Sequence, residues 1–429
     1  MVHTAGSKQF LNIMFPPRWT LILFLFSYGD FTESTPLAVP DNENPLPEQV
    51  SCSAMNPVRS SDSLYLGSDG RNPLHMEFQF SDISSNLSSF DFRTFDSEGI
   101  IFYGDVGMDS WFVLGVRERK MEVQMSNSNG QMVLSKWGPD VSDGKWRKVV
   151  VDSRVNTVEV TVDGELVVRL THHVNLQLSP HSYSKLSIIL GGLPVGPSHQ
   201  LLRPLQPALD GCIRNWAWVK KDVQVLVDAM EKDENLRCFE EEEPGSYFPS
   251  DGYAIFKPSM FQPPDNEPWG LAVRISFRVQ KGSGTLLAIN GPGNVTMFAV
   301  TVDWQKQVLV ITLPGKLPTY FNFPLNLCSG QWQFVDIKIQ SNHMLVSTEH
   351  GSSSWNMNPA YLKVLENTWL DPTSQIFIGG FPDETAEEET HFSGCLKIIL
   401  QGEAVSLDKA QYKHPHVRTH SCPRGIQLK

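Results

Sequence analysis

Val158-Glu-Val-Thr-Val-Asp-Gly-Glu-Leu-Val-Val-Arg-Leu170 reads as a β-hairpin. Val158, Val160 and Val162 alternate with Glu159 and Thr161, the period-two pattern of a strand with one buried face. Asp163-Gly164 is a preferred composition for a two-residue turn in which both residues take positive φ. Glu165–Leu170 returns as the second strand. Working outward, short apolar runs of the same style follow one another. They include Gly99–Tyr103, Trp111–Leu114, Met121–Met125, Trp146–Val151 and Leu186–Leu190. Later come Leu271–Val279, Val308–Thr312, Trp332–Ile339 and Gln375–Gly379. Many short strands separated by turn signals predict a sandwich or barrel. Helix signals are sparse, with one short candidate over Val223–Met230.

The hairpin sits inside a pattern that occurs twice. The first copy carries Asp143-Gly-Lys-Trp146, Leu190-Gly-Gly-Leu-Pro194 and Leu209-Asp-Gly-Cys212. The second carries Ser329-Gly-Gln-Trp332, Ile378-Gly-Gly-Phe-Pro382 and Phe392-Ser-Gly-Cys395. Trp146 and Trp332 lie 186 positions apart, Gly191 and Gly379 188, and Cys212 and Cys395 183. A nearly constant offset across three ordered landmarks predicts duplication of a whole module. Solenoid repeats run only about 20–50 residues, so these are two large units.

The 429 residues suffice for two or three cores. A formal charge of −12 and the lack of a basic cluster disfavour nucleic acid. Lys8 and Arg18 precede the apolar run Trp19–Phe26, which is too short to span a bilayer and sits where a secretion signal belongs. The expected organisation is a signal peptide over 1–29, a flexible leader over 30–73, a first module over 74–238, an acidic solvated linker over 239–246, a second module over 247–422 and a tail over 423–429. No membrane insertion is expected, and the chain is read as secreted and extracellular.

Six cysteines fit that compartment. Cys212 is followed by Cys238 and Cys395 by Cys422 at nearly equal spacing, which supports local Cys212–Cys238 and Cys395–Cys422 disulfides. Sequence alone leaves other pairings open. Cys52 and Cys328 have no counterparts, and whether they are free, paired together or bonded to another chain stays open. The sequons at Asn86 and Asn294 are glycosylation candidates. No G-x-S-x-G, H-E-x-x-H or phosphate-binding glycine loop is present, so catalysis is not expected.

Phe90-x-x-Arg-Thr-Phe-Asp-x-Glu-Gly-Ile-Ile-Phe-Tyr-Gly-Asp105, followed by Trp111-Phe112, Asp143-Gly-Lys-Trp146, Leu190-Gly-Gly192 and Pro207-Ala-Leu-Asp-Gly-Cys212, resembles a laminin G-like domain. The resemblance covers roughly residues 74–422 and implies an all-β chain of two laminin G-like jelly-roll sandwiches in tandem. A stand-alone pair behind a signal peptide resembles the plasma steroid carriers of that family. It implies androgens and estrogens (the testosterone, dihydrotestosterone and estradiol class) bound between the sheets of the first module, calcium at one edge of that sandwich, and a homodimer through the first module.

By the same resemblance, the serine anchor of the steroid slot falls on Ser88 and an asparagine anchor on Asn127. An aromatic wall falls on Phe112, and apolar lining on Val151 and Leu186. Asp109 or Ser110 takes the polar role of an aspartate displaced by a shorter loop. A steroid is a rigid apolar body with oxygens at its ends, so such a site needs an apolar slot and one or two buried polar anchors. The family's zinc-linked histidine aligns with Tyr183, which makes zinc modulation doubtful. Calcium is implied at Asp96, Glu98 and the Ala208 carbonyl, since calcium takes carboxylate and carbonyl oxygens. In the second copy Lys281-Gly-Ser-Gly284 stands where Asp96-Ser-Glu-Gly99 stands in the first, so the acid pair is gone and neither calcium nor steroid is assigned there.

Asn86 and Ser88 pose a conflict. Positions two apart on one strand share a face, so a glycan on Asn86 and an inward Ser88 require the strand to begin between them. The competing function is an extracellular adhesion or receptor-ligand protein that binds proteins or glycans through the laminin G-like pair. Such chains carry further Cys-rich or Glu-rich modules, which the sequence here lacks.

Overall fold

The structure is a computed structural model that describes residues 56–67, 74–106, 110–126, 132–154, 157–171, 185–194, 201–206, 208–219, 224–262, 269–313, 319–382 and 391–424. In the first module the strands are β1 (Arg59–Tyr65), β2 (Leu74–Gln79), β3 (Leu87–Thr94), β4 (Gly99–Asp105), β5 (Trp111–Arg117), β6 (Lys120–Ser126), β7 (Met132–Trp137), β8 (Arg147–Arg154), β9 (Thr157–Val162), β10 (Glu165–Thr171), β11 (Lys185–Leu190) and β12 (Gly211–Ala217). A helix α1 (Gln224–Lys232) and strand β13 (Arg237–Phe239) complete it. One sheet runs β10-β9-β8-β3-β12-β1-β13, and the facing sheet runs β2-β11-β4-β5-β6-β7.

The opening hairpin is β9–β10, and Asp163 and Gly164 take φ of 52° and 85° as their composition predicts. Val158, Val160 and Val162 are buried and the residues between them are not. On β3, Ser88, Phe90 and Phe92 point to the core by the same alternation. Phe90 stacks on Trp218 at 5.4 Å, and Phe102 meets Trp218 edge-on at 5.2 Å. Each fully buried side chain of this size contributes about 1.5–3 kcal/mol of transfer free energy.

The second module repeats the plan. Strand β14 (Glu242–Pro244) leads to β15 (Ser246–Phe248), β16 (Ala254–Phe256), β17 (Gly270–Val279), β18 (Gly284–Gly291), β19 (Val295–Asp303), β20 (Val308–Leu313) and β21 (Thr319–Pro324). Then come β22 (Gln333–Gln340), β23 (His343–Thr348), β24 (Gly351–Asn356), helix α2 (Pro359–Leu370), β25 (Gln375–Ile378), β26 (Gly394–Leu400), β27 (Glu403–Ala404), β28 (Tyr412–Lys413) and β29 (Ser421–Pro423). Its sheets run β15-β26-β17-β22-β23-β24 and β21-β20-β19-β18-β25-β16-β28.

The repeated landmarks occupy equivalent places. Gly191 and Gly379 take φ of 66° and 83°, and their N–H groups bond Ile101 O (2.9 Å) and Leu286 O (3.2 Å). A side chain on Gly99 would meet Leu209, and one on Gly284 would meet Phe392, the residues that open the two Gly-Cys landmarks. Cys212 bonds Cys238 and Cys395 bonds Cys422, with Cα separations of 6.1 and 6.0 Å. Trp146 packs on the first pair with Tyr65, and Trp332 on the second with Tyr247 and Phe239. Cys328 is also disulfide-bonded. Cys52 lies outside the described residues, as do the signal segment and most of the leader.

Three boundaries differ from the sequence reading. Residues 59–65, assigned to the leader, form β1, which fills the gap between β12 and β13. Ser63–Tyr65 are buried, but the run is too short and serine-rich to signal a strand. The acidic linker is not simply solvated: Glu242–Pro244 pairs as β14 with β29, and Glu242 is buried. That pairing also draws Pro423 out of the expected tail into a strand.

The helix candidate over Val223–Met230 corresponds to α1, and α2 is a second helix beyond it. The signal for α2 was present: Asn358 caps it by accepting the Ala360 N–H (2.9 Å), Pro359 opens it, and Tyr361, Leu362, Leu365 and Trp369 share one face.

Candidate ligand site and metal site

Ser88, Phe112, Val151 and Leu186 come from four strands and converge on the inter-sheet core of the first module. Ser88 on β3 lies opposite Val151 on β8. Phe112 on β5 stacks at a tilt against Phe102 with centroids 5.6 Å apart, and Leu186 on β11 lies opposite Phe78. Phe112 and Leu186 are only partly buried, so both stay accessible at the margin of the core. The Ser88 side chain is almost fully buried, and its Oγ accepts the Val219 N–H at 3.0 Å. The hydroxyl therefore keeps its own proton for a second bond, which a ligand carbonyl could accept.

β3 begins at Leu87, and Asn86 lies before it, exposed, donating from Nδ2 to Asp152 Oδ1 (2.6 Å). The strand thus starts between Asn86 and Ser88, which removes the conflict between an outward Asn86 and an inward Ser88. Asn294 is exposed in the turn before β19. Ser110 precedes β5, where its carbonyl accepts the Val106 N–H (3.1 Å). Asn127, Asp109 and Tyr183 lie outside the described residues.

One feature of the core had no sequence signal. Trp218 is fully buried, yet its indole Nε1 has no hydrogen-bond partner among the described residues. A buried donor left unpaired costs about 1–3 kcal/mol. It lies beside Val219, the residue that Ser88 holds.

Asp96 sits in the turn between β3 and β4. It is almost fully buried; Oδ1 accepts the Glu98 N–H and Oδ2 the Asp210 N–H, both at 3.1 Å. Burial pushes its carboxyl up to about 6, although neighbouring His420 opposes that shift. Glu98 Oε1 instead lies 3.3 Å from Arg117 Nη1. Ala208 is half-buried, two residues before Asp210.

The second module adds to this site. His420 Nε2 lies 3.4 Å from Asp96 Oδ1 and 2.7 Å from Asp408 Oδ2. Burial pulls the imidazole down, but the Asp408 hydrogen bond and the charges of Asp96, Asp408 and Asp210 outweigh it and raise His420 to about 9. The imidazolium thus stands between two carboxylates. Asp96 and Asp408 bring two carboxylates within 4.8 Å, the oxygen donors a hard divalent cation takes, but the His420 imidazolium stands between them and Glu98 faces Arg117, so a cation here would take the place of the imidazolium. Asp408 and His420 were invisible to local motif reading because they arrive from the other copy.

Comparisons with known proteins place this architecture. The Laminin G domain family models match residues 92–224 and 277–403. Sex hormone-binding globulin of Oryctolagus cuniculus is 34% identical over 360 residues, covering 82% of this chain and 85% of that protein. Sex hormone-binding globulin of Homo sapiens is 33% identical, with 83% and 85% covered. Vitamin K-dependent protein S of Oryctolagus cuniculus is 27% identical, with 82% of this chain but 55% of that protein covered. The solved structure of mouse laminin alpha1 chain, domains LG4-5, superposes with a TM-score of 0.64 at 19% identity, covering 89% of this chain and all of that one, a likeness of fold.

The fold is thus that of a tandem laminin G protein, a binding protein and not an enzyme. The chain belongs to the sex hormone-binding globulin family. Among the described residues no helix is long and apolar enough to cross a membrane.

Proposed function

We propose that the chain is a secreted plasma carrier that binds androgens and estrogens non-covalently between the sheets of its first module and so regulates free steroid. The observation that carries this reading is Ser88: a buried hydroxyl on an inward strand position, with a proton to donate, beside an apolar wall that includes Phe112, Val151 and Leu186. Ser88 fixes one oxygen of the steroid. Asn127, with Asp109 or Ser110, fixes the other end. Calcium is held by Asp96, Glu98 and the Ala208 carbonyl, with Asp408 as an additional carboxylate, and its charge stabilises the turn between β3 and β4. Homodimerisation runs through the first module, whose edge strands β7 and β10 expose Trp137 and Leu166. Asn294 and Asn86 carry glycans.

The second reading is an extracellular adhesion or receptor-ligand protein that binds proteins or glycans through its laminin G-like pair, and the similarity to vitamin K-dependent protein S supports it. Equilibrium dialysis with labelled testosterone and estradiol, with and without chelator, separates the two. The carrier reading expects saturable binding at nanomolar to micromolar steroid. Its absence would leave the second reading.

A further inference from the structure

We propose that Asp251, His414 and His416 form a transition-metal site on the second module, of the kind zinc occupies. One ligand atom from each lies within 4.8 Å of the other two. His416 Nδ1 and Asp251 Oδ2 are 3.4 Å apart. A charge-assisted N–H···O bond closes to about 2.7–2.9 Å. Two ligands of a tetrahedral zinc, each bonded at about 2.0–2.1 Å, stand roughly 3.3–3.5 Å apart. The observed spacing is that of two ligands of a shared ion, and it is long for a charge-assisted hydrogen bond.

The backbone holds the three residues in place from two separate segments. β16 pairs with β28, with Ala254 opposite Lys413, and the His414 N–H bonds Tyr253 O at 2.9 Å. On the other flank, Tyr247 and Arg418 exchange backbone bonds of 2.9 and 3.0 Å. Two tight turns close the loops, Gly252 N–H to Pro249 O (2.8 Å) and Val417 N–H to His414 O (3.0 Å).

The rings are also oriented. Tyr253 stacks on Tyr412 at 5.1 Å and packs against His414 at 6.2 Å, while His414 and His416 meet edge-on at 5.0 Å. The His416 N–H lies 3.4 Å from His414 Nδ1, too long to fix which nitrogen of that ring carries the proton. Asp251 and His416 are exposed and His414 is half-buried, so an ion has an entry path and a fourth position open to water.

Two imidazoles and one carboxylate select zinc, copper(II) or nickel(II) over calcium or magnesium, whose ligands are oxygens. This set of residues is separate from both Ser88 and Asp96. An ion here would tie the strands that enter the second module to the segment that leaves it for β29.

The test is zinc binding to the full-length chain after chelator treatment and dialysis, measured by calorimetry. Cobalt(II) serves as a spectroscopic substitute. The expected result is one zinc per chain that excess calcium does not displace, a cobalt(II) absorption of four-coordinate type, and at least tenfold weaker binding in His416→Ala. His416 is exposed, so that variant should keep the metal-free melting temperature of the parent. Asp251→Asn reports on the same site from the other segment and should weaken zinc in the same direction. Zinc that binds parent and His416→Ala alike resides elsewhere and overturns the proposal, as does a parent chain that binds none.

Discussion

Glu242 and Glu243 are neighbours in the chain, and each completes the buried arginine of a different module. Glu242 Oε2 lies 3.0 Å from Arg93 Nη2, and Glu243 Oε1 lies 2.9 Å from Arg278 Nη1. Arg93 and Arg278 are equivalent in the two copies. Each sits over its module's landmark tryptophan, Trp146 at 4.6 Å and Trp332 at 5.5 Å. Each also donates to a carbonyl beside a disulfide, Phe239 O and Pro423 O. Successive side chains of a strand point to opposite sides, so β14 divides its two acids between the modules.

The second module returns the contact. Arg418 lies 4.0 Å from the rings of both Tyr65 and Phe239 and donates to Arg237 O, while Asp210 accepts the N–H groups of His420 and Ser421.

The two glutamates should therefore not be equivalent to mutation. The Glu242 carboxylate is 2% exposed and also faces Arg418 at 3.6 Å. Glu242→Ala leaves buried arginines uncompensated and should cost about 3–5 kcal/mol. Glu243 is 21% exposed and also accepts from Trp332 Nε1, so Glu243→Ala should cost less, about 1.5–3 kcal/mol as for a hydrogen bond to a charged group. Urea unfolding of both variants checks the order, and equal losses would reject the buried role of Glu242.

The repeat predicts a matched pair of backbone-sensitive sites. At Gly191 an added Cβ falls against the Leu66 carbonyl, and at Gly379 against the Phe248 ring, each at positive φ. Gly191→Ala and Gly379→Ala should each lose at least about 1–3 kcal/mol. Comparable drops in urea midpoint would confirm that the landmark serves folding in both copies.

Much of this architecture was legible from sequence because it depends on local chemistry. The Asp163-Gly164 turn, the period-two valines and the paired Gly-Gly and Gly-Cys landmarks each encode their own geometry. Ser88 came from the resemblance, and β3 places it on the inward face with Phe90 and Phe92. What escaped was non-local. β1 becomes a strand only because β12 and β13 leave a gap for it. Glu242 reads as a solvated charge until Arg93 and Arg418 are placed around it. Asp408 and His420 reach Asp96 only after the second module has folded back.

The two disulfides close loops of similar size, 26 and 27 residues. Loop-closure entropy alone assigns each about 3.5 kcal/mol. Replacing Cys212 and Cys238 together, or Cys395 and Cys422 together, by serine should destabilise by similar amounts. Thermal melts of the two double variants test this. A much larger loss for one pair would show that its packing, on Trp146 or on Trp332, matters more than the cross-link.

Metal removal should act through Asp96. If calcium compensates that buried carboxylate, chelation lowers the melting temperature of the parent chain. In Asp96→Asn the charge that calcium offsets is absent, so chelator should change little. Differential scanning calorimetry with and without calcium decides it, and an identical chelator response in both chains would reject Asp96 as a ligand.

Ser88 joins two roles that two readouts of one substitution can separate. Its oxygen accepts the Val219 N–H, and its proton is the one that the proposed function offers to the steroid. Ser88→Ala removes both. The fold should lose about 1–3 kcal/mol, because a buried N–H is left without an acceptor. Losing the ligand bond should weaken steroid affinity by a comparable free energy, about 5- to 150-fold. Ser88→Thr keeps the hydroxyl and adds one methyl, so it restores the donor if the slot tolerates the volume. Equilibrium dialysis reports the affinity and urea unfolding reports the fold, on the same preparations. A Ser88→Ala chain that is destabilised but binds steroid normally would show that Ser88 only holds Val219, and the anchor would have to be sought at Trp218 Nε1, a donor without a partner among the described residues.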